Sequence, residues 1–159
     1  MPRPFTIGLI SDTHGLLRPE AVAALGGNDA IIHAGDIGDS AILTELARIA
    51  PVSAVRGNVD RGNWAQAVPE TEVLEAGGVL IYILHNIDEL SLDPVAAGFK
   101  VVVTGHSHKP ATREKDGVLY INPGSAGPRR FKLPIALGRL VIAEGAVSAE
   151  LIELAAPPR

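Results

Sequence analysis

Seven side chains that can bind metal ions follow five short apolar runs of the sequence. The first run leads into SDTHG, the second into GDIGD, the third into GNVD, the fourth into HN and the fifth into GHSH. Four of the five histidines of the chain lie in these segments. The candidate ligands are Asp12, His14, Asp36, Asn58, His85, His106 and His108. This clustering predicts a metal site built from nitrogen and oxygen donors.

The donor types restrict the metal ion and its number. The chain has no cysteine, so no thiolate is available. Imidazole mixed with carboxylate and amide oxygen suits Mn, Fe, Zn or Ni, whereas Ca and Mg sites are built mainly from oxygen. Seven ligands exceed what one tetrahedral ion needs, but two ions roughly 3.5–4 Å apart that share a carboxylate would use them all. Asp36 is the expected bridge. A glycine precedes Asp36, Asn58 and His106, which predicts a close approach of the backbone at each.

The elements that must position these ligands form an α/β pattern. Short β-branched runs predict buried strands, and they alternate with helical segments or turns. In such folds ligands bind beyond the carboxyl ends of the strands, where the loops converge. The predicted strands are TIGLI, AIIHA, VSAV, VLIYIL, KVVVT and VLYI.

Three segments predict helices, and the end of the chain predicts a hairpin. SAILTELARIA has apolar residues at helical spacing, with Asp39 or Ser40 as its N-cap. PEAVAAL and DPVAAGF are two further predicted helices. In LGRLVIAEGAVSAELIEL two alternating runs flank Gly145 and Ala146, which predicts a turn there. We expect a single domain over residues 1–155 and a frayed tail over residues 156–159.

Composition excludes several classes of partner. The chain of 159 residues is 47% hydrophobic and has 14 Lys and Arg against 18 Asp and Glu, a net charge of −4. This balance does not favour a nucleic-acid surface or an anionic membrane as partner. The apolar run before Ser11 is too short for a signal sequence, and no later segment is long enough to span a membrane. The expected location is cytoplasmic.

The ordered motifs resemble the calcineurin-like metallophosphoesterases, in particular the small single-domain phosphodiesterases of bacteria and archaea. The D-x-H, G-D, G-N-x-D, H and G-H-x-H elements of that family stand here as SDTHG, GD, GNVD, LHN and GHSH, in the family order. NPGS at residues 122–125 fits the segment that follows. The resemblance covers residues 6–131. It implies a four-layer α/β sandwich, in which two packed mixed β-sheets are flanked by helices.

The resemblance also implies a ligand partition and a mechanism. Asp12, His14, Asp36 and His108 would bind one metal ion, and Asp36, Asn58, His85 and His106 would bind the other. Among them Asp36, Asn58 and His85 are expected to act in catalysis. Two divalent ions are implied, with Mn²⁺ expected and Ni, Fe, Zn or Mg as alternatives. A hydroxide that bridges the ions would attack the phosphorus of a small phosphodiester.

Two positions depart from the wider family. Val59 lies where many larger relatives have a histidine that contacts the phosphate and protonates the leaving oxygen. Valine can do neither, so we expect activated or aryl esters to be cleaved faster than alkyl esters. Asn86 follows His85 where relatives commonly have glycine, and Asn tolerates unusual backbone angles better than most residues.

The roles of several polar residues outside the ligand set have two interpretations. Asp60 could hold a ligand histidine in orientation, and Asp39 could do the same or cap the following helix. Asn122 to Ser125 could bring backbone amides to the site or form an ordinary turn. His33 lies inside an apolar run, which favours a hydrogen-bonded core residue.

Two further segments could contact a substrate. Arg129 and Arg130 in PRRFK could bind a substrate phosphate or lie on a solvated face. Trp64 could stack on a ligand, contact a subunit or cover the edge of the core.

These observations predict a dinuclear metal-dependent phosphodiesterase acting on small or activated diesters. The alternative is a non-catalytic protein-interaction scaffold, because the same fold serves as a scaffold subunit of the retromer sorting complex. The resemblance implies that this scaffold lacks part of the histidine set that the present chain keeps. The brevity of the site loops also motivates a homo-oligomer in which a neighbour completes the pocket.

Overall fold

Two five-stranded β-sheets form the centre of the computed structural model, which describes residues 3–130 and 132–154. The first sheet has the strand order β10-β9-β1-β2-β3. β1, β2 and β3 are parallel, and β9 and β10 add an antiparallel hairpin beside β1. Its strands are β1 (Phe5–Ile10), β2 (Ala30–His33), β3 (Val52–Ala54), β9 (Ala136–Ala143) and β10 (Ala146–Glu153).

The second sheet is also mixed and has the strand order β4-β5-β6-β8-β7. β5, β6 and β8 are parallel, whereas β4 and β7 pair antiparallel at the two edges. Its strands are β4 (Thr71–Ala76), β5 (Val79–Leu84), β6 (Val101–Val103), β7 (Ala111–Lys115) and β8 (Val118–Asn122).

The largest apolar cluster joins the two sheets. It contains Ile7 and Leu9 of β1 together with Ile81 of β5 and Val103 of β6, all of which are fully buried. Each such aliphatic side chain contributes about 1.5–3 kcal/mol when it is removed from water. The central parallel strands are therefore held rigidly, and so are the loops that leave their carboxyl ends.

Helices cover the outer faces of the sheets. They are α1 (Pro19–Leu25), α2 (Ser40–Ala47), α3 (Asn63–Gln66), α4 (Pro94–Ala97) and a 3-10 turn (Ile87–Glu89). Leu25 of α1 and Leu46 of α2 pack with Ile31 in a second cluster, on the outer face of the first sheet. A third cluster around Tyr82 and Phe99 covers the second sheet. The four-layer α/β arrangement predicted from the sequence is confirmed.

The details differ from the sequence prediction at the terminal hairpin. Its turn is formed by Glu144 and Gly145, with φ of 52° and 79°, and Ala146 is already the first residue of β10. The prediction placed the turn one residue too late. The predicted frayed tail at residues 156–159 lies outside the described residues. Within residues 3–130 and 132–154, no helix is both long and apolar enough to cross a membrane.

Candidate metal centre

Six of the seven predicted ligands form two groups at the carboxyl ends of β1, β2, β5 and β6. Asp12, His14 and His108 place one ligand atom each within 4.8 Å of one another. Asp36, His85 and His106 do the same. The pairing of the groups follows the partition that the family resemblance implies.

Asp36 lies between the two groups. Its Oδ2 is 3.2 Å from Nε2 of His85 in its own group and 3.6 Å from Nε2 of His14 in the other. This position suits the bridging role predicted for Asp36. Asp12 Oδ1 also lies near both groups, at 3.4 Å from Nε2 of His108 and 3.9 Å from Nε2 of His85, but Asp36 makes the shorter contact across the groups. Its second oxygen, Oδ1, accepts a hydrogen bond of 3.0 Å from the backbone N–H of Val59.

Asn58, the seventh predicted ligand, lies beside the second group. The loop that carries it contacts Asp36 through Val59, and Asn58 lines a polar cavity of about 190 Å³ together with His85. Asn86, the position of departure after His85, is extended with φ of −117°. Glycine is therefore not needed there, and His85 itself is buried.

Several buried donor atoms of the site have no hydrogen-bond partner among the described residues. They are Asp12 Oδ1, His14 Nε2, His85 Nε2 and His108 Nδ1. Buried polar atoms are normally paired, because an unpaired one costs roughly 1–3 kcal/mol. Three of these atoms lie near one another, since Asp12 Oδ1 is 3.8 Å from Nε2 of His14 and 3.9 Å from Nε2 of His85, and a positive charge between them would satisfy all three. The residues present therefore fit bound cations.

The tautomer of His85 supports the same conclusion. Its Nδ1 lies 2.7 Å from the carbonyl oxygen of Ala34, to which Nδ1–H donates. In the neutral ring Nε2 then has a bare lone pair, and it faces the carboxylate of Asp36 at 3.2 Å. A metal-binding histidine typically donates its other N–H to a carbonyl or carboxylate in this way.

A proton on Nε2 of His85 would supply positive charge beside Asp36, as a bound cation would. Burial disfavours the charged ring, yet the Asp36 carboxylate and the Ala34 carbonyl outweigh it and raise the pKa of His85. Burial also opposes the charge on Asp12, but contacts with His108, His14 and Ser11 hold the pKa of that carboxyl below its usual value. The pKa of Asp36 is lowered as well, against burial, by His85 and the Val59 amide. Both carboxylates are therefore charged at neutral pH.

Five of the predicted ligands adopt left-handed backbone conformations. Such conformations cost of order 1 kcal/mol or more in a residue with a side chain, and they concentrate at functional sites. The values of φ are 55° for Asp12, 46° for His14, 56° for Asp36, 74° for His106 and 64° for His108. This strain is a local feature that no hydrophobic pattern in the sequence indicates.

The glycines that precede three ligands are required by close contacts. A Cβ on Gly57 would collide with the Asp36 carboxylate, and a Cβ on Gly105 would collide with Ser11 Oγ and lie 2.8 Å from Asp12 Oδ2. A Cβ on Gly35 would lie 2.6 Å from Nδ1 of His85. The predicted close approach of the backbone is confirmed at all three positions.

Asp60 forms hydrogen bonds with the backbone on both sides of Asp36, and not with a histidine ring. Its carboxylate accepts hydrogen bonds from the backbone N–H groups of Ile37 at 3.1 Å, Gly38 at 2.9 Å and Gly57 at 2.9 Å. The contact with a ligand histidine that the sequence suggested is absent among the described residues. Asp39 caps α2, since its side chain accepts from the N–H of Ala41 at 2.9 Å.

His33 is a buried link between two ligand loops. Its Nδ1 accepts from the N–H of Gly35 at 3.1 Å, so Nε2 carries the proton and donates to Thr13 Oγ1 at 3.0 Å. The Thr13 hydroxyl in turn donates to the carbonyl of Ile37 at 2.8 Å. The prediction of a hydrogen-bonded core histidine is confirmed.

Sequence reasoning missed three polar side chains whose hydrogen bonds hold the loops around the site. Asn122 Nδ2 donates to the carbonyl of Gly105 at 2.8 Å and to Ser107 Oγ at 3.0 Å. Ser125 Oγ donates to the carbonyl of Asp12 at 2.9 Å. The buried Arg18 donates to the carbonyl of Gly127 at 3.2 and 3.3 Å. The NPGS motif pointed to Asn122 and Ser125, but it predicted contacts from their backbone amides, whereas their side chains make these contacts. No motif pointed to Arg18.

The remaining substrate candidates belong to neither of the two ligand groups. Arg129 and Arg130 are exposed, and Arg130 lines a groove with Ser107 and Lys109. Trp64 is half-buried and packs against the apolar cluster under α1 and α2, so it covers the edge of the core. Val59 is 47% exposed beside Asn58.

Comparison with known proteins agrees with this geometry. Residues 5–145 match the calcineurin-like phosphoesterase superfamily domain. The chain belongs to the calcineurin-like phosphoesterase superfamily. It is 34% identical to a probable metallophosphoesterase of Methanothermobacter thermautotrophicus, over 95% of this chain and 94% of that protein. It is 29% identical to a phosphodiesterase of Methanocaldococcus jannaschii, over 74% and 82%.

A solved structure with a similar fold comes from a different functional setting. Vacuolar Protein Sorting 29 from Cryptosporidium parvum superposes with a TM-score of 0.76 at 20% identity, covering 96% of this chain and 99% of that one. At this identity the likeness shows the shared calcineurin-like fold and nothing about activity.

Proposed function

We propose that this calcineurin-like phosphoesterase is a dinuclear metal-dependent phosphodiesterase that hydrolyses small or activated phosphodiesters. The observation that carries the proposal is the pair of ligand groups near Asp36, in which four buried polar atoms have no hydrogen-bond partner among the described residues. A chain that uses these residues for structure alone would pair them, because unpaired buried polar atoms are costly.

The donors divide between two ions as follows. Asp12, His14 and His108 would hold one ion and His85, His106 and Asn58 the other, with Asp36 shared. Mn²⁺ suits this mixture of nitrogen and oxygen, and Ni, Fe, Zn or Mg are alternatives. When bound, such ions supply Lewis acidity that withdraws charge from phosphoryl oxygens and makes water a stronger acid.

The chain itself contributes orientation and charge. Ala34 fixes the tautomer of His85 so that Nε2 faces the site, and the Val59 amide orients the Asp36 carboxylate. Asp60 holds the backbone on both sides of Asp36 through three amides. These contacts position the ligands before any substrate arrives, which lowers the cost of organising the transition state.

Val59 supports a preference for good leaving groups. Its side chain is 47% exposed beside Asn58 and has no proton to donate. Without a general acid at this position, a leaving alkoxide must take its proton from water. Aryl diesters, whose leaving groups need no such help, are therefore the expected best substrates. The name of the Methanocaldococcus relative, a phosphodiesterase, supports diesters over monoesters.

A scaffold without catalysis is the alternative function, and the fold of Vacuolar Protein Sorting 29 motivates it. Selection for a scaffold gives no reason to keep four histidines and two carboxylates around one centre, five of them at strained backbone positions. The retained set favours catalysis.

The test is hydrolysis of bis(p-nitrophenyl) phosphate beside p-nitrophenyl phosphate, with chelator-stripped protein before and after addition of Mn²⁺. We expect Mn-dependent cleavage of the diester that exceeds cleavage of the monoester. Asp36→Ala should abolish the activity, whereas Asp116→Ala should retain it. Asp116 is an exposed residue of the hairpin between β7 and β8 and is the matched control.

Folding must be monitored in the same samples, because Asp36 also contacts the Val59 loop. Circular dichroism would show whether Asp36→Ala keeps the native fold. Folded wild-type protein that turns over neither ester with any of the five metals would contradict the proposal and favour the scaffold function.

A further inference from the structure

A groove lined mainly by cations lies beside the metal centre. It encloses about 900 Å³, and among the described residues its lining consists of Ser107, Lys109, Arg130, Lys132 and Leu133. We name these residues the cationic groove. Within residues 3–130 and 132–154, none of its three cations takes part in an ion pair. Three unpaired cations around one groove are notable in a chain whose net charge is −4.

The cationic groove is connected directly to the loop that carries two ligands. Ser107 lies between His106 and His108, and its Oγ accepts from the N–H of Lys109 at 3.2 Å and from Asn122 Nδ2 at 3.0 Å. Asn122 also holds the carbonyl of Gly105. A group bound in the groove would therefore lie at a fixed place relative to the metal ligands.

A cavity that two of the predicted ligands line has the opposite character. It is lined by Arg56, Glu70 and Glu89 together with Asn58 and His85, and its volume is about 190 Å³. Arg56 Nη2 is 3.2 Å from Glu70 Oε1, so its charge is already paired. Glu89 leaves this wall negative, and it would repel an anion that the cationic groove attracts.

We propose that the natural substrate is an unsymmetrical phosphodiester, one arm of which carries a second anionic group that binds in the cationic groove. The inference rests on the proposed phosphodiesterase function and names its substrate class. The second anion is a carboxylate or a phosphate, since arginine and lysine recognise both. In the reaction water adds its oxygen to phosphorus and the P–O bond to the leaving alcohol breaks. The anionic arm stays on the product as a phosphomonoester.

The test uses p-nitrophenyl phosphodiesters with one leaving group and five different arms. The arms are propyl, 3-carboxypropyl, 3-phosphopropyl, 3-hydroxypropyl and choline. We expect kcat/KM for the carboxylate and phosphate arms to exceed that for propyl by about tenfold, which a few exposed ion pairs together supply. The choline diester should be the poorest of the set. The ratio of the two anionic arms distinguishes a carboxylate from a phosphate as the second anion.

Substitution of the groove separates its role from that of the metal centre. The variant with Lys109→Gln, Arg130→Gln and Lys132→Gln should lose the tenfold ratio of anionic to propyl diester. A variant with Lys100→Gln and Lys115→Gln, two exposed cations outside the groove, should keep it. The ratio should also fall with added salt, because the screening length shrinks from about 10 Å at 0.1 M to 3 Å at 1 M.

Three outcomes would overturn the inference. They are equal kcat/KM for anionic and propyl arms, a preference for choline, and a ratio unchanged in the groove variant. If no diester is hydrolysed, the proposed function fails separately. Calorimetric measurement of the binding of methylphosphonate and methylenebisphosphonate to the Mn-loaded protein then tests whether the cationic groove binds a second anion. Tighter binding of the bisphosphonate that the groove variant loses supports the groove, and equal affinity overturns it.

Discussion

His33 illustrates, at the scale of single residues, how a side chain outside the ligand set controls the site. Its ring is fully buried and joins the Thr13 loop to the Gly35 loop as a neutral group. Burial lowers the pKa of His33 from 6.5 to about 4, against the attraction of Asp12 and Asp60. The unfolded chain therefore binds a proton between pH 6.5 and 4 that the folded chain does not.

We predict that metal-free protein loses about 3 kcal/mol of unfolding free energy between pH 6.5 and 4 because of His33. The raised pKa of His85 contributes unfolding free energy that is lost only as the pH rises above 6.5. The lowered pKa values of Asp12 and Asp36 contribute unfolding free energy that is lost only as the pH falls below 4. The window between belongs to His33. Urea unfolding at several pH values measures the slope. His33→Phe should be less stable at pH 7 but should lose most of this slope, and an equal slope in the variant would contradict the prediction.

Val59 leads to a second prediction at a single residue. Only its backbone N–H contacts Asp36, and its side chain is 47% exposed, so a larger side chain can be accommodated. Val59→His would add a proton donor at the position where many larger relatives have one. We expect it to raise kcat/KM for diesters with poor leaving groups by about tenfold or more.

The measurement is the dependence of kcat/KM on leaving-group pKa across a series of diesters. Val59→His should make this dependence shallower, with the gain largest for alkyl leaving groups. Val59→Asn is the matched control, since it is polar but supplies no acid at neutral pH. The same slope for Val59→His and Val59→Asn would mean that proton donation is not limiting.

The residue types of the centre could be read from the sequence, but the way they are held could not. Metal-ligand chemistry limits the donors to a few residue types, so the set from Asp12 to His108 was visible beside the strands. The contacts of Asp60, Ser125 and Arg18 depend on which backbone groups the fold leaves unpaired, and that is a property of the tertiary structure. Asp60 was accordingly assigned the wrong partner.

At the scale of elements, the ends of the strands explain how such short loops can position the site. The loops after β1, β2, β5 and β6 leave strands that are buried in the core, and neighbouring strands pair in parallel register, such as Ile10 with His33 and His33 with Ala54. The loops then contact one another so closely that glycine is required. Gly105 is the clearest case, since a Cβ there would meet Ser11 and Asp12.

We predict that Gly105→Ala lowers Mn²⁺ affinity by roughly 10–100-fold, the usual effect of disturbing groups that support metal ligands. The added methyl would displace the Asp12 carboxylate, which accepts from the His106 amide at 3.1 Å. Isothermal titration of chelator-stripped protein measures the change. Gly26→Ala is the control, because that glycine has an ordinary φ of −60° and no contact closer than 3.5 Å. Unchanged affinity in Gly105→Ala would show that the loop yields without consequence.

Hydrophobic patterning predicted the buried elements and failed where burial is absent. β1, β2, β5 and β6 are apolar runs between turn residues, and each was predicted. β7 was missed because all five of its residues are exposed, so only its pairing with β8 defines it as a strand. The predicted hairpin turn was displaced by one residue because Glu144, a residue without turn preference, adopts the left-handed conformation.

In the molecule as a whole, the metal-free centre lowers the free energy of unfolding, and bound metal should restore it. Five strained predicted ligands and two charged carboxylates lie in one centre, together with four buried atoms that have no hydrogen-bond partner among the described residues. Cations that bind the folded but not the unfolded chain stabilise it by mass action, by about 2.7 kcal/mol at one hundred times Kd. For a chain of this size that corresponds to a rise in Tm of about 5–10 °C.

We therefore predict that Mn²⁺ at one hundred times its Kd raises the Tm of chelator-stripped protein by about 5–10 °C. Differential scanning calorimetry with and without Mn²⁺ measures the shift. Asp36→Ala should have a smaller shift, because one ligand shared by both groups is lost, while Asp116→Ala should shift as the wild type does. Asp36→Ala also removes the acceptor of the Val59 amide and the charged partner of His85, so its metal-free Tm should lie slightly below that of the wild type. A metal-free Asp36→Ala protein that is much less stable would show that Asp36 serves the fold before it serves the metal.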